Sequence, residues 1–117
     1  MPARHHRVTR GEDYRRAVRT GNRVGGAYCI TYAVRRSAAE TSDATPRFGY
    51  IISKAVGNAV TRNLVRRRMK AISDELIRDG AEGSDIVFRA LPRAADATFA
   101  ELRRELHRAH EKVRAQA

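Results

Sequence analysis

The chain has 117 residues, a formal net charge of +11 and an isoelectric point near 11.1. Its length predicts one domain with a modest core, and its charge predicts a polyanionic partner without specifying a fold. The one cysteine, Cys29, excludes an intrachain disulfide and suits a reducing cytoplasm, and with no apolar run of about 18 residues nothing is expected to span a membrane. A hydrophobic fraction of 42% with clear periodicity argues against disorder.

Met1 to Val8 reads as a flexible basic arm. It has no apolar segment behind it, so it is not expected to be a secretory signal. The adjacent His5 and His6 suit an exposed or RNA-facing arm better than a metal site. Thr9 to Glu12 then has the form of a capping box. A short helix should run from there to Thr20 and stop at Gly21, with Tyr14, Ala17 and Val18 apolar and the rest largely arginine.

Residues 22–36 read as one extended segment bent at Gly25-Gly26. From there Tyr28, Ile30, Tyr32 and Val34 share one face, and Cys29, Thr31 and Ala33 the other. Tyrosines beside arginines suit single-stranded RNA, whose bases stack while its phosphates meet the guanidinium groups. Core packing explains the same tyrosines equally well. Residues 37–46 form a polar, flexible loop ending in Pro46. Arg47 to Ser53 is a second strand, in which Gly49 allows close approach of a neighbouring element.

The segment Ser53 to Lys70 carries Lys54, Arg62, Arg66, Arg67, Arg68 and Lys70 with no acidic residue among them. Gly57 and Asn58 mark a turn and an N-cap, whose free N–H groups would meet a phosphate. A helical wheel with Val60 at zero gathers Leu64, Val65, Met69, Ile72 and Leu76 in one half. Arg62, Asn63, Arg66, Arg67 and Lys70 fall in the other. Arg68 projects from the apolar half and should reach outward along its stem. Arginine forks give oriented, bidentate phosphate contacts. Asn63 can read a 2′-hydroxyl, a base edge or a metal-bound water.

An acidic stretch follows from Asp74, and the helix should stop near Asp79. Asp85 to Ala90 reads as a buried strand. Phe99, Leu102, Leu106 and Val113 make the stripe of an amphipathic closing helix over residues 97–114. His107 and His110 lie at i and i+3 on it and are expected at the surface, since nothing nearby completes a metal site. The order helix, strands, helix, strand, helix gives an α+β class with helices over a small sheet.

The pattern K-x-x-G-N-A-V-x-R-N-x-x-R-R-x-x-K is carried by Lys54, Gly57, Asn58, Ala59, Val60, Arg62, Asn63, Arg66, Arg67 and Lys70. It resembles the signature of the bacterial ribonuclease P protein component family. Leu64 stands where the family often has a third basic residue, Arg68 where an apolar one is common, and Val18 where an aromatic is usual.

The resemblance implies a small two-layer α/β sandwich, ribosomal protein S5 domain 2-like, with a left-handed βαβ crossover. It further implies a protein subunit that binds a catalytic RNA subunit through Lys54, Asn58, Arg62, Asn63, Arg66, Arg67 and Lys70. The 5′ leader of precursor tRNA would lie in a cleft lined by Tyr14, Val18, Ile30 and Tyr32. The RNA would hold the active site and its Mg²⁺, with no cofactor bound by the protein and no protein partner required.

From the residues alone, no nucleophilic triad, carboxylate cluster or phosphate-loop motif marks the chain as a catalyst by itself. Two other readings compete: a general single-stranded RNA-binding or ribosomal-type protein, and a protein nuclease acting alone.

Overall fold

The computed structural model describes residues 6–35, 45–81 and 83–116. The arm expected over 1–8 and the loop expected over 37–46 therefore lie largely outside the described residues. The described end of the arm is docked. Val8 is buried and its amide donates to the Phe48 carbonyl at 2.8 Å. His6 Nδ1 lies 2.8 Å from the Pro46 carbonyl oxygen.

The elements are α1 (Gly11–Thr20), β1 (Asn22–Gly25), β2 (Cys29–Arg35), β3 (Arg47–Ile51), α2 (Ala59–Arg78), β4 (Ser84–Ala90) and α3 (Phe99–Gln116). Short 3₁₀ turns at Lys54–Val56 and Pro92–Asp96 lead into α2 and α3. The four strands form one sheet in the order β1-β2-β4-β3, in which only the β3–β4 pair is parallel.

Strand alternation divides the sheet into two faces. Phe48, Ile86, Phe88 and Ala90 join Val65, Met69, Ile72, Leu76, Leu102 and Leu106 in the main core, so α2 and α3 cover that face. The Phe48 and Phe88 rings stack with centroids 5.9 Å apart. Full burial of side chains of this size is worth about 1.5–3 kcal/mol each, so this layer holds most of the stability. On the opposite face Ala17 of α1 packs on Tyr32 and Val87. The sheet with α2 and α3 is the sandwich, and α1 covers part of the other side.

Two features fix α1 there. Gly49 leaves room for a ring: a Cβ built on it would lie 2.6 Å from Tyr14. The Tyr50 amide donates to the Tyr14 hydroxyl at 3.2 Å. Alongside, Arg47 Nε and Nη2 donate to the fully buried Asp85 carboxylate at 2.8 and 2.7 Å, and Nη2 lies 3.5 Å from Asp13 of α1. Removing one partner of such a buried pair costs about 3–5 kcal/mol, because the other charge is left uncompensated.

The structure corrects two local expectations. The segment expected to be one extended run over 22–36 is, over its described residues 22–35, a hairpin, because the Gly26–Tyr28 turn is clamped by Glu105 of α3. Its carboxylate accepts from the amides of Ala27, Tyr28 and Cys29 at 2.7 to 3.1 Å. A Cβ on Gly26 would sit 2.4 Å from the Glu105 carboxyl carbon. The capping box expected at Thr9–Glu12 does not form, since α1 begins after Arg10 without a side-chain cap. The box forms on α3 instead: the Thr98 amide donates to Glu101 at 2.8 Å and the Glu101 amide to the Thr98 hydroxyl at 3.1 Å.

Candidate nucleic-acid interface

Two surfaces gather the residues singled out by the sequence. The first is α2. Gly57 precedes it at φ +156, where a Cβ would also meet the Thr61 side chain at 2.9 Å, so glycine is required. Asn58 caps the helix: its Oδ1 accepts from the Thr61 amide at 3.0 Å. The Asn58 side chain therefore sets the geometry of the face, while the first helical turn, free of acidic residues, presents its N–H groups.

The buried stripe of α2 is Val65, Met69, Ile72, Ser73 and Leu76. It is narrower than the wheel suggested and rotated toward Arg62. Val60, placed in the apolar half by the sequence, is 78% exposed, and Leu64 borders on exposed. Arg62 is half-buried and its Nε donates to the Gly57 carbonyl at 3.1 Å, which holds the guanidinium at the helix start. Arg66 Nη1 donates to Asn63 Oδ1 at 2.9 Å, so these two project as one unit. Arg67, Lys54 and Asn63 are exposed and Lys70 is half-exposed. Arg68 is half-buried rather than extended outward. Its Nη1 donates to the Ala97 carbonyl at 2.8 Å and ties α2 to the segment before α3.

The second surface is a groove of about 600 Å³ between α1 and the sheet, lined by Tyr14, Arg15, Val18, Arg19 and Ile51. Val18 is 37% exposed and Tyr14 half-buried, so both expected wall residues face it in part. Ile30 is half-buried in the same packed cluster as Tyr14 and Ile51. Tyr32 is different: at 3% exposure beneath Ala17 it has no ring face free for a base. Its expected stacking role is replaced by a core role.

Sequence reasoning missed Arg15, Arg19, Ile51 and Arg89. The register places exposed Arg89 between Ile30 of β2 and Ile51 of β3. The i,i+4 spacing of Arg15 with Arg19, interleaved with Tyr14 and Val18, was readable from the chain. Arg89 was not, because its position depends on cross-strand pairing. The groove wall and the cationic helix are close in the chain, for β3 ends at Ile51 and Lys54 opens the turn into α2.

The acidic groups are held elsewhere. Glu75 accepts from Arg103 Nε at 2.8 Å and lies 2.8 Å from His107 Nε2. Burial pushes its carboxyl up, but these hydrogen bonds outweigh that and leave it below the usual range. His110 is 4% exposed, not the surface histidine expected. Burial and then nearby Arg114 hold it below the usual histidine value. Among the described residues no three His, Cys, Asp or Glu side chains come together as a metal site, and no helix is long and apolar enough to cross a membrane.

Comparison with known proteins bears on the family and the fold. Residues 1–114 match the sequence model of the family described as Ribonuclease P. The chain is 47% identical over 106 residues to a protein named "Ribonuclease P protein component" from Clavibacter michiganensis subsp. michiganensis, covering 91% of this chain and 90% of that one. It is 45% identical over 105 residues to one of the same name from Kocuria rhizophila, covering 90% and 88%. In structure it is similar to the RNase P protein of Staphylococcus aureus, with TM-score 0.79, 24% identity and coverage of 91% and 93%. It is also similar to that of Thermotoga maritima, with TM-score 0.77, 18% identity and coverage of 91% and 96%.

Proposed function

This chain belongs to the ribonuclease P protein family and is a protein subunit of that ribonucleoprotein, and from that premise we propose how its two surfaces divide the work. The face formed by Lys54, Arg62, Asn63, Arg66, Arg67 and Lys70 takes the phosphates of the RNA subunit. The groove of Tyr14, Arg15, Val18, Arg19, Ile30, Ile51 and Arg89 takes the 5′ leader of precursor tRNA.

The observation that carries this is the juxtaposition of an arginine-rimmed groove with a cationic helix face that follows it directly in the chain. Apolar and aromatic walls take bases without regard to sequence, and guanidinium groups take the phosphates between them. With Tyr32 in the core, Tyr14 is the one groove aromatic among the described residues, and aliphatic Val18, Ile30 and Ile51 supply the rest of the wall.

Phosphodiester hydrolysis and the Mg²⁺ that serves it belong to the RNA subunit in this reading. The donor set supports this. Asp85 is turned to Arg47, Glu75 to Arg103 and His107, and Glu101 and Glu105 to backbone amides, so these carboxylates lie away from both cationic surfaces. We place the complex in the cytoplasm.

The test mixes labelled precursor tRNA with protein alone, RNA subunit alone and both. Stimulated leader removal only in the reconstituted complex is expected. Cleavage by protein alone would establish a protein nuclease. Binding without stimulation would establish a general RNA-binding protein. Within the complex, Arg66→Ala and Arg67→Ala should weaken assembly with stability held within about 1 kcal/mol, whereas Arg89→Ala should weaken binding of leadered tRNA alone.

A further inference from the structure

We propose that the outer edge of α3 is a second contact for the RNA subunit, gripping its sugar-phosphate backbone through Arg104, Arg108 and Lys112. The proposal rests on the reading of the chain as that RNA's protein partner. It adds a surface that neither the motif helix nor the groove includes.

The three cations lie at i, i+4 and i+8, so they form one stripe that climbs about 6 Å per step. All three are exposed, and none makes a hydrogen bond or ion pair with a described residue. That contrasts with Arg62, Arg66, Arg68 and Arg103, each of which is committed within the protein. The neighbouring acids are drawn off. Glu105 is turned into the hairpin turn by three amides, Glu101 is held by Thr98 and the Tyr28 hydroxyl, and Glu111 lies 3.7 Å from Arg114.

The relief of the surface fits a strand of backbone. A recess of about 170 Å³ is bordered by Tyr28, Arg104 and Arg108 together with Glu101 and Glu105, whose carboxylates already accept from the protein's own donors, and one of about 190 Å³ lies between Gly25-Gly26, Glu105, Arg108 and Lys112. Arg108 stands between the two. Arg93 extends the positive edge, its guanidinium 5.8 Å over the Tyr28 ring. Spaced, unpaired cations on a rigid helix suit phosphates at regular intervals and need no base readout.

Other occupants fit less well. The leader groove lies on the α1 face of the sheet and α3 on the other, so a leader held there does not pass the stripe. A second copy would bring its own charge of +11. A membrane-surface helix needs an apolar face to insert, and of the α3 stripe Leu102, Leu106 and Val113 are buried in the fold while Phe99 at its start is part-exposed.

The experiment compares two full-length triple variants with wild type. One is Arg104→Gln/Arg108→Gln/Lys112→Gln. The other, Arg23→Gln/Arg35→Gln/Arg78→Gln, removes the same charge from exposed positions outside α3. Affinity for the RNA subunit is measured across monovalent salt, with thermal melting as the check on folding. The α3 variant should lose at least tenfold in affinity and about 2–3 units of salt slope. The control should change less than about threefold.

Equal losses from both variants would overturn the proposal, since general charge would then suffice. An unchanged α3 variant beside a weakened Arg66→Ala/Arg67→Ala protein would also overturn it and leave the proposed function standing. Failure of wild type to bind the RNA would sink that function instead. Wild-type RNA affinity in the α3 variant, with lost binding to phosphatidylserine vesicles or polyglutamate, would reassign the stripe to a lipid or an acidic protein.

Discussion

Tyr32 and His110 show how far a residue's type lies from its role. Tyr32 was placed in the groove by family resemblance and His110 was read as a surface group, and both are buried, Tyr32 in a cluster with Ala17 of α1 and Val87. Tyr32→Ala should therefore act as a core truncation. We expect a loss of about 3–5 kcal/mol in chemical denaturation, with equal effects on leadered and leaderless tRNA binding. A loss confined to leadered tRNA at unchanged stability would restore Tyr32 to the groove. His110 gives a signed pH dependence. Its folded-state value lies below that of an unfolded histidine, from burial first and Arg114 second. The unfolded chain therefore binds the proton first, and stability falls as pH drops through about 6.5. Melting temperature should decline between about pH 7.5 and pH 5.5, and His110→Gln should flatten that window. Glu75 acts lower: its depressed value loses its contribution only as pH falls below about 4.5. The identities of the groups were legible, but their exposure was set by contacts from distant parts of the chain.

At the level of elements, the legible parts were those with local signals. The Asn58 cap, the Thr20 stop and the length of α2 follow from neighbours within a turn. The sequence contains T-x-x-E twice, at Thr9 and at Thr98, and only the second closes into a box. The difference lies in context, for α1 is placed by Tyr14 and Asp13 contacts with β3, which set where its backbone turns. The phase of α2 was misjudged for a related reason. Its first turn extends past the sheet, so Val60 has nothing beneath it, and Val65 is the first side chain to reach the core. The hairpin was illegible because its clamp, Glu105, lies more than 70 residues away. Glu105→Ala should cost about 2 kcal/mol, as three charge-assisted hydrogen bonds pass to water. Hydrogen exchange should rise first at Ala27, Tyr28 and Cys29. Unchanged protection there would show that the turn holds without its carboxylate.

For the whole molecule, charge and the motif pattern were enough to reach the family and the class of partner, because both survive any error in local geometry. Affinity for the RNA subunit should fall steeply as monovalent salt rises, since released counterions must rebind. A nearly flat response from low to physiological salt would remove the phosphate contacts from the argument. What the chain did not reveal was the sheet order, which depends on pairings between segments far apart. That order, β1-β2-β4-β3, also bears on how the molecule is made. β4, the last of these four strands in the chain, is an inner one, so β2 and β3 have no common neighbour until residues 84–90 emerge from the ribosome. A nascent chain shorter than this carries the entire cationic motif on a helix that lacks most of its floor. Folding must therefore wait until that strand has been made, and an arginine-rich segment spends the interval beside ribosomal RNA.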